Sequence, residues 1–292
     1  MSAEPYSLVT SKLKPLSSVM SADTKSPLPQ PVVIALCGSF NPIHNAHLTI
    51  YDATKQLLEQ EKTHEEPHRS FTVLGGFISL VGDAYPKKGL RPFTEREAIA
   101  QAAVADHPDL AIDRWEGTQK EYVRTLYVLQ HLEDTIRAHY IRKEPELLSR
   151  LVEDGTQIRV VFACGADLFN SFFVPGVWPL KLLQSLLDRF IITILRRAAK
   201  KQGEHYLECQ EDCDKKYTNN PLVEVNDGVS FSIEMTKYKF FFGSFSSPDN
   251  TSSTQIRELL ASSKSEEEKK KALADLVPSS AVSLIYQYYS QK

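Results

Sequence analysis

Apolar residues along this chain follow two periods that alternate with each other. A short all-apolar run stands at VVIALC (32–37), and largely apolar, strand-like stretches at FTVLGGFIS (71–79), IRVVFAC (158–164), RFIITIL (189–195) and YKFFFGSF (238–245). Runs of this length, apolar at both odd and even positions, predict central strands of a parallel sheet buried on both faces. LAIDRW (110–115) is a further strand of the same kind. Helical spacing fills the gaps, near 46–62, 94–106 and 119–138, and three more helices are predicted near 253–262, 265–275 and 279–290. The alternation implies βαβ units with right-handed crossovers. The fold class is therefore α/β: a doubly wound, Rossmann-like parallel sheet with helices on both faces and a C-terminal helical segment. No internal repeat is visible.

Two segments stand outside the pattern. Residues 1–31 are rich in Ser, Pro and Lys and end in PLPQP. They predict a flexible leader that joins no core, followed by a single domain over 32–292. The leader has no apolar stretch of the kind a secretory signal needs, and it contains acids but no Arg, unlike a transit peptide. The second segment, 200–236, reads as an exposed, variable insertion. Within it His205, Cys209 and Cys213 are spaced i, i+4, i+8 and are competent zinc ligands, but no fourth ligand is evident, so no metal site is predicted.

Composition narrows the class. A hydrophobic share of 42% and a charged share of 24% suit an ordinary soluble protein, and no apolar run approaches the roughly 18 residues of a membrane span. A net charge of -3 leaves no basic footprint for nucleic acid. Neither nucleic acid nor a membrane is expected as a partner, so any anion site must come from locally placed donors. Cys37 and Cys164 end apolar runs and read as reduced, buried residues. That suits the cytoplasm first, with nuclear access left open, since 139–157 offers only Arg142-Lys143 as a basic pair. The oligomeric state is open, a homo-oligomer included.

In doubly wound sheets, ligands bind beyond the carboxyl ends of the strands, where strand order reverses. Two strands end in glycine-containing turns, Cys37-Gly38-Ser39-Phe40 and Cys164-Gly165-Ala166-Asp167. After the first comes Gly38-Ser39-Phe40-Asn41-Pro42-Ile43-His44-Asn45-Ala46-His47-Leu48. Gly38 lets backbone approach a ligand, and the following helix offers free N–H groups to phosphate. His44 and His47, three apart at the first helical turn, point the same way and can both donate to phosphate oxygens. Near the C-terminus stands Thr251-Ser252-Ser253-Thr254-Gln255-Ile256-Arg257. Ser252 with Gln255 forms a capping box that predicts a helix start. Hydroxyls, backbone donors and the Arg257 guanidinium would then meet at one anion site.

The first of these motifs resembles the (H/T)xxH motif of the nucleotidyltransferases, and Ser252–Arg257 resembles the second ATP motif of that superfamily. Three further stretches are similar to pyridine mononucleotide adenylyltransferases of eukaryotic type: Val81–Leu90, Trp115–Thr125 and Cys164–Trp178. The resemblance implies ATP contacts by Gly38, Ser39, Phe40, His44, His47, Ser252, Ser253, Thr254 and Arg257, with His47 and Arg257 catalytic. It also implies mononucleotide contacts by Lys87, Tyr122, Thr125, Gly165, Asp167, Leu168 and Trp178, with Tyr122 where relatives usually have Trp. Arg196 and Arg197 follow a strand where the family contacts ATP. No resident metal is implied; Mg²⁺ would arrive bound with ATP. Because Leu168–Trp178 is wholly uncharged, amide and acid forms of the pyridine are expected to react at comparable rates.

Other nucleotidyltransferases share the first motif but leave Val81–Leu90 and Gly165–Trp178 unexplained. A nucleotide-binding interaction protein without turnover would have no need of His47, Lys87 and Arg257 together.

Overall fold

The computed structural model describes residues 6–21, 23–198, 206–246 and 251–290. Its strands are β1 (Gln30–Gly38), β2 (Phe71–Leu80), β3 (Leu110–Asp113), β4 (Arg159–Gly165), β5 (Ile191–Arg197), β6 (Leu222–Asn226), β7 (Val229–Ile233) and β8 (Phe241–Phe245). Its helices are α1 (Asn45–Gln60), α2 (Phe93–Ala103), α3 (Thr125–Lys143), α4 (Pro145–Glu153), α5 (Ala166–Ser171), α6 (Leu180–Arg189), α7 (Gln210–Tyr217), α8 (Ser253–Ala261), α9 (Glu266–Leu276) and α10 (Val282–Tyr289). Six strands pair in the order β3-β2-β1-β4-β5-β8, and every pairing is parallel. The doubly wound, Rossmann-like sheet expected from the alternating periods is what the chain forms.

The apolar runs work as strands because both faces are covered. Val33, Ala35, Phe77, Val160 and Phe162 pack under Leu129, Leu132 and Ile136 of α3 and Leu183 and Leu186 of α6. Val32, Ile34, Leu36, Ile78 and Val161 pack on the other face against Tyr51 and Leu58 of α1, Ile99 of α2 and Ile256, Leu273 and Ile285 of the last three helices. The predicted helix near 119–138 starts later, at Thr125, because Glu116–Thr118 forms a tight 3₁₀ turn first. Gly117 makes that turn possible: a Cβ there would lie 1.8 Å from the Phe93 ring.

Two expectations are corrected. The segment ahead of β1 is no leader free of the core, for Leu16, Met20 and Leu28 are buried in the same cluster as α3 and α6. Its backbone is pinned as well. The Lys14 N–H donates to Leu74 O (2.8 Å), the Tyr140 hydroxyl to Lys14 O (2.6 Å), and the Leu16 and Ser17 N–H groups to the Glu144 carboxylate (2.7 and 2.9 Å). Its apolar residues are too sparse to show a period, and their partners lie over a hundred residues away.

The stretch read as an exposed insertion also reaches inward. Cys213 of α7 is fully buried, Tyr217 nearly so, and Met235 joins them in that cluster. Burial pushes the Cys213 thiol up to about 11, so this residue is a packed core side chain. Cys209 precedes the first turn of α7, and His205 lies outside the described residues. Among the described residues no helix is long and apolar enough to cross a membrane.

Candidate active site

Strand order reverses between β1 and β4, and the two glycine-containing turns lie at the carboxyl ends of those strands. At Phe40 the chain takes a left-handed conformation (φ 41°), which turns the ring back beneath Gly38. Gly38 accommodates it, since a Cβ would meet that ring at 3.3 Å.

His44 then caps α1. Its N–H donates to His47 Nδ1 (3.1 Å), which leaves the Nε2 proton of a neutral His47 as the outward donor. The two imidazoles stack at 3.7 Å. Burial, then the charges of Arg197 and Lys87, depress His47 to about 3; burial and His47 hold His44 lower still. Both rings are therefore neutral donors at pH 7.

Asn41 ties this loop to the rest of the site. Its side chain donates to Gly89 O (2.9 Å) and accepts from the Arg91 N–H (3.2 Å) and the Tyr289 hydroxyl (2.5 Å). Its carbonyl accepts from Arg257 (2.7 Å), whose other arm donates to Thr254 Oγ1 (3.0 Å). Ser252 caps α8 by accepting from the Gln255 N–H (3.2 Å), and the Ser253 hydroxyl donates to Pro42 O (2.8 Å). The return arm of the expected capping box is not made, because Gln255 Oε1 is buried without a partner. Arg197 steadies the approach to α8 by donating to Thr251 O (2.7 Å), whereas Arg196 faces Glu208 (3.7 Å). Lys87 donates to Ser39 Oγ (2.8 Å), and burial together with Arg257 and Arg96 pushes its amine down. His44, His47, Lys87, Arg257 and the start of α8 thus gather around the loop from Gly38 to His47.

Beside it lies a cavity of about 470 Å³, walled by Gly38 and Ser39 on one side and by Tyr122, Thr125, Leu168 and Trp178 on the other. Trp178 is fixed through its indole N–H to Ser171 Oγ (2.9 Å) and edge-on against Phe172. Tyr122 is 44% exposed and tilts against Tyr85. Asp167 borders the cavity and accepts from the Tyr206 hydroxyl (2.5 Å). Gly165 stands behind, at the end of β4, and is not part of the wall. A larger opening, about 850 Å³, sits at the amino ends of the strands, opposite this site; its charges are largely paired, such as Arg189 with Glu133 at 2.7 Å.

Residues 35–259 match the family model described as Cytidylyltransferase-like. The chain is 33% identical over 229 residues to a nicotinamide/nicotinic acid mononucleotide adenylyltransferase of Oryza sativa subsp. japonica, a match that spans 78% of this chain and 76% of the relative. It is 32% identical over 193 residues to the Arabidopsis thaliana protein of the same description, across 66% of this chain and 73% of the relative. For the Bos taurus nicotinamide/nicotinic acid mononucleotide adenylyltransferase 1 the identity is 29%, across 71% and 79%. The chain belongs to this family of adenylyltransferases.

Several residues of this adenylyltransferase site carry no obvious signal in the sequence. Arg96 is fully buried, and its guanidinium donates to Arg91 O (2.7 Å), Ser39 O (3.0 Å) and Val81 O (2.7 Å), lacing the loop after β1 to the loop between β2 and α2. One signal for it does exist, since position 96 shares a helix face with Phe93, Ile99, Ala100 and Ala103. Glu116 and Arg124 also line the cavity. They put a carboxyl and a guanidinium on the cavity wall from outside the uncharged Leu168–Trp178 stretch. No local pattern marks them, for each reaches the cavity through a turn rather than a periodic element.

Proposed function

We propose that the enzyme transfers the adenylyl group of ATP to the 5′-phosphate of nicotinamide mononucleotide or nicotinate mononucleotide, releasing pyrophosphate and giving NAD or its deamido form. The observation that carries this reading is the shared wall: Gly38 and Ser39 border the cavity beside Tyr122 and Trp178, while the Lys87–Ser39 bond ties that wall to the cationic and N–H donors at the Gly38–His47 loop. A mononucleotide with its ring between Tyr122 and Trp178 would direct its phosphate toward Lys87.

The attacking oxygen belongs to a phosphate that is already anionic at neutral pH, so no general base is required. That oxygen forms a bond to the α-phosphorus as the bond to the bridging α–β oxygen breaks, and the electron pair leaves with pyrophosphate. The protein supplies alignment and charge compensation. His47 Nε2–H and His44 face the triphosphate, Ser252, Ser253, Thr254 and Arg257 its far phosphates, and Lys87 the mononucleotide phosphate.

Mg²⁺ is expected to enter with ATP on phosphate oxygens and water, where it neutralises charge. The donors gathered at the Gly38–His47 loop are N–H, O–H and cationic groups suited to phosphate, and among the described residues no three His, Cys, Asp or Glu side chains are grouped as a metal cage. Four thiols without a disulfide suit a reducing compartment, the cytoplasm first.

Pyrophosphate release tests the reading. ATP with either pyridine mononucleotide should release it, whereas ATP with phosphopantetheine, or CTP with phosphocholine, should not. Release with one of the latter pairs alone would replace the substrate named here.

A further inference from the structure

Glu116 is an unusual wall for a nucleotide cavity. It is only 4% exposed, at the 3₁₀ turn after β3, and it lines the same cavity as Tyr122 and Trp178. One oxygen, Oε2, accepts from Ser79 Oγ (2.8 Å) at the end of β2. The other, Oε1, makes no hydrogen bond among the described residues, yet it is not among the fully enclosed orphan atoms, which include Asp113 Oδ2. It therefore keeps accessible surface, on a residue that lines the cavity. A buried carboxyl with a free oxygen facing a ligand site is a reader of the ligand's polar groups.

The groups around it leave Glu116 to act alone. Asp167, the other acidic wall, is engaged by Tyr206. Asp113, on β3, accepts from the Tyr6 hydroxyl (3.0 Å) and the Trp115 N–H (3.1 Å). Arg96, on α2, is committed to its three carbonyls, and the Cys37 thiol on β1 is pushed far up by burial. Arg124 lies at the cavity mouth near the Tyr122 ring (6.0 Å).

Resting on the pyridine mononucleotide reading above, we propose that Glu116 is the specificity-determining residue for the exocyclic group of the ring. As a carboxylate, Oε1 accepts from the amide N–H of nicotinamide mononucleotide and repels the carboxylate of nicotinate mononucleotide. As a carboxylic acid it donates its proton to that carboxylate instead. Burial raises the Glu116 carboxyl, Asp113 raises it further, the Ser79 bond and Arg96 lower it, and it comes to about 7. The two forms therefore exchange across neutral pH, and the choice between substrates turns with pH. Arg124 adds a constant bias toward the acid.

The test is the ratio of kcat/KM for the amide to that for the acid, from pH 6 to 8.5. Titration of the mononucleotide phosphate and of every group acting on both substrates alike cancels in this ratio. The ratio should rise with pH by roughly tenfold, the scale of one charge at close range. Glu116→Gln, which keeps the Ser79 bond, should flatten it. Ser79→Ala should move its midpoint to higher pH, because the bond it removes favours the carboxylate. A ratio that stays constant across the range in the wild type, or that rises unchanged in Glu116→Gln, overturns the proposal. Absence of pyrophosphate from either mononucleotide would instead overturn the substrate assignment, so the two failures are distinct.

Discussion

The two ends of the site are built on opposite plans. At the proposed phosphate end most polar groups have a protein partner, His44 Nδ1 and Gln255 Oε1 aside: Asn41 makes four hydrogen bonds, Arg257 two, and Ser253 and Lys87 one each. At the ring end Glu116 leaves an oxygen free, Arg124 sits at the mouth and Tyr122 is half-exposed. The difference follows from what each end must recognise. Phosphate presents the same charge in every substrate, so its donors can be fixed in advance and lose nothing to reorganisation. The ring carries either an amide or an acid, and a site that must treat two groups differently needs a charge not already satisfied.

His47→Ala strikes the phosphate end where it acts on the transferring group, and it carries the largest expected effect. Turnover should fall roughly 100- to 1000-fold with little change in ATP binding, as loss of one preorganised donor usually costs. A variant within a few-fold of wild type would remove His47 from the reaction.

Arg96→Leu attacks the scaffold beneath both ends. It strips three loop carbonyls of their donor, and leaving such groups unsatisfied costs on the order of 3 kcal/mol in stability. Thermal or urea denaturation should register this together with weaker binding of both substrates. An unchanged midpoint would mean the loops hold without it.

Arg257→Ala should raise the apparent KM for ATP about tenfold, the scale of one charged hydrogen bond, and leave turnover within a few-fold. Unchanged ATP dependence would take Arg257 out of the triphosphate site. The smallest change belongs to Tyr122→Trp, which enlarges the stacking face. A lower KM for either mononucleotide, by a few-fold at most, should follow from a gain of about 0.5–1 kcal/mol. A higher KM would mean the ring does not lie against residue 122.

Strands sandwiched between helical layers must be largely apolar on both faces, which makes β1, β2, β4 and β5 legible as mostly apolar runs in the sequence. The phosphate motifs are legible for a related reason: Gly38, His44 and His47 act through a turn and one helical start, so their geometry is local. Glu116 is not, since its burial depends on Phe93 lying over Gly117 and on Ser79 from another strand. The packing of Leu16 and Leu28 is hidden in the same way, because their partners on α3 and α4 are remote in sequence. Cys213, eight residues beyond His205 in sequence, suggests ligand spacing; its place is the core beside Tyr217.

The strap ahead of β1 has a practical consequence for anyone who shortens this chain. Trimming it to begin at Gln30, where the sheet starts, would strip Leu16, Met20 and Leu28 from the core and bare an apolar patch that invites self-association. It would also withdraw the Tyr6 hydroxyl from Asp113, which stands just ahead of Glu116 in the chain and raises its carboxyl. A truncated enzyme would then differ from the full chain in solubility and also in which pyridine it prefers, so the two forms are not interchangeable reagents.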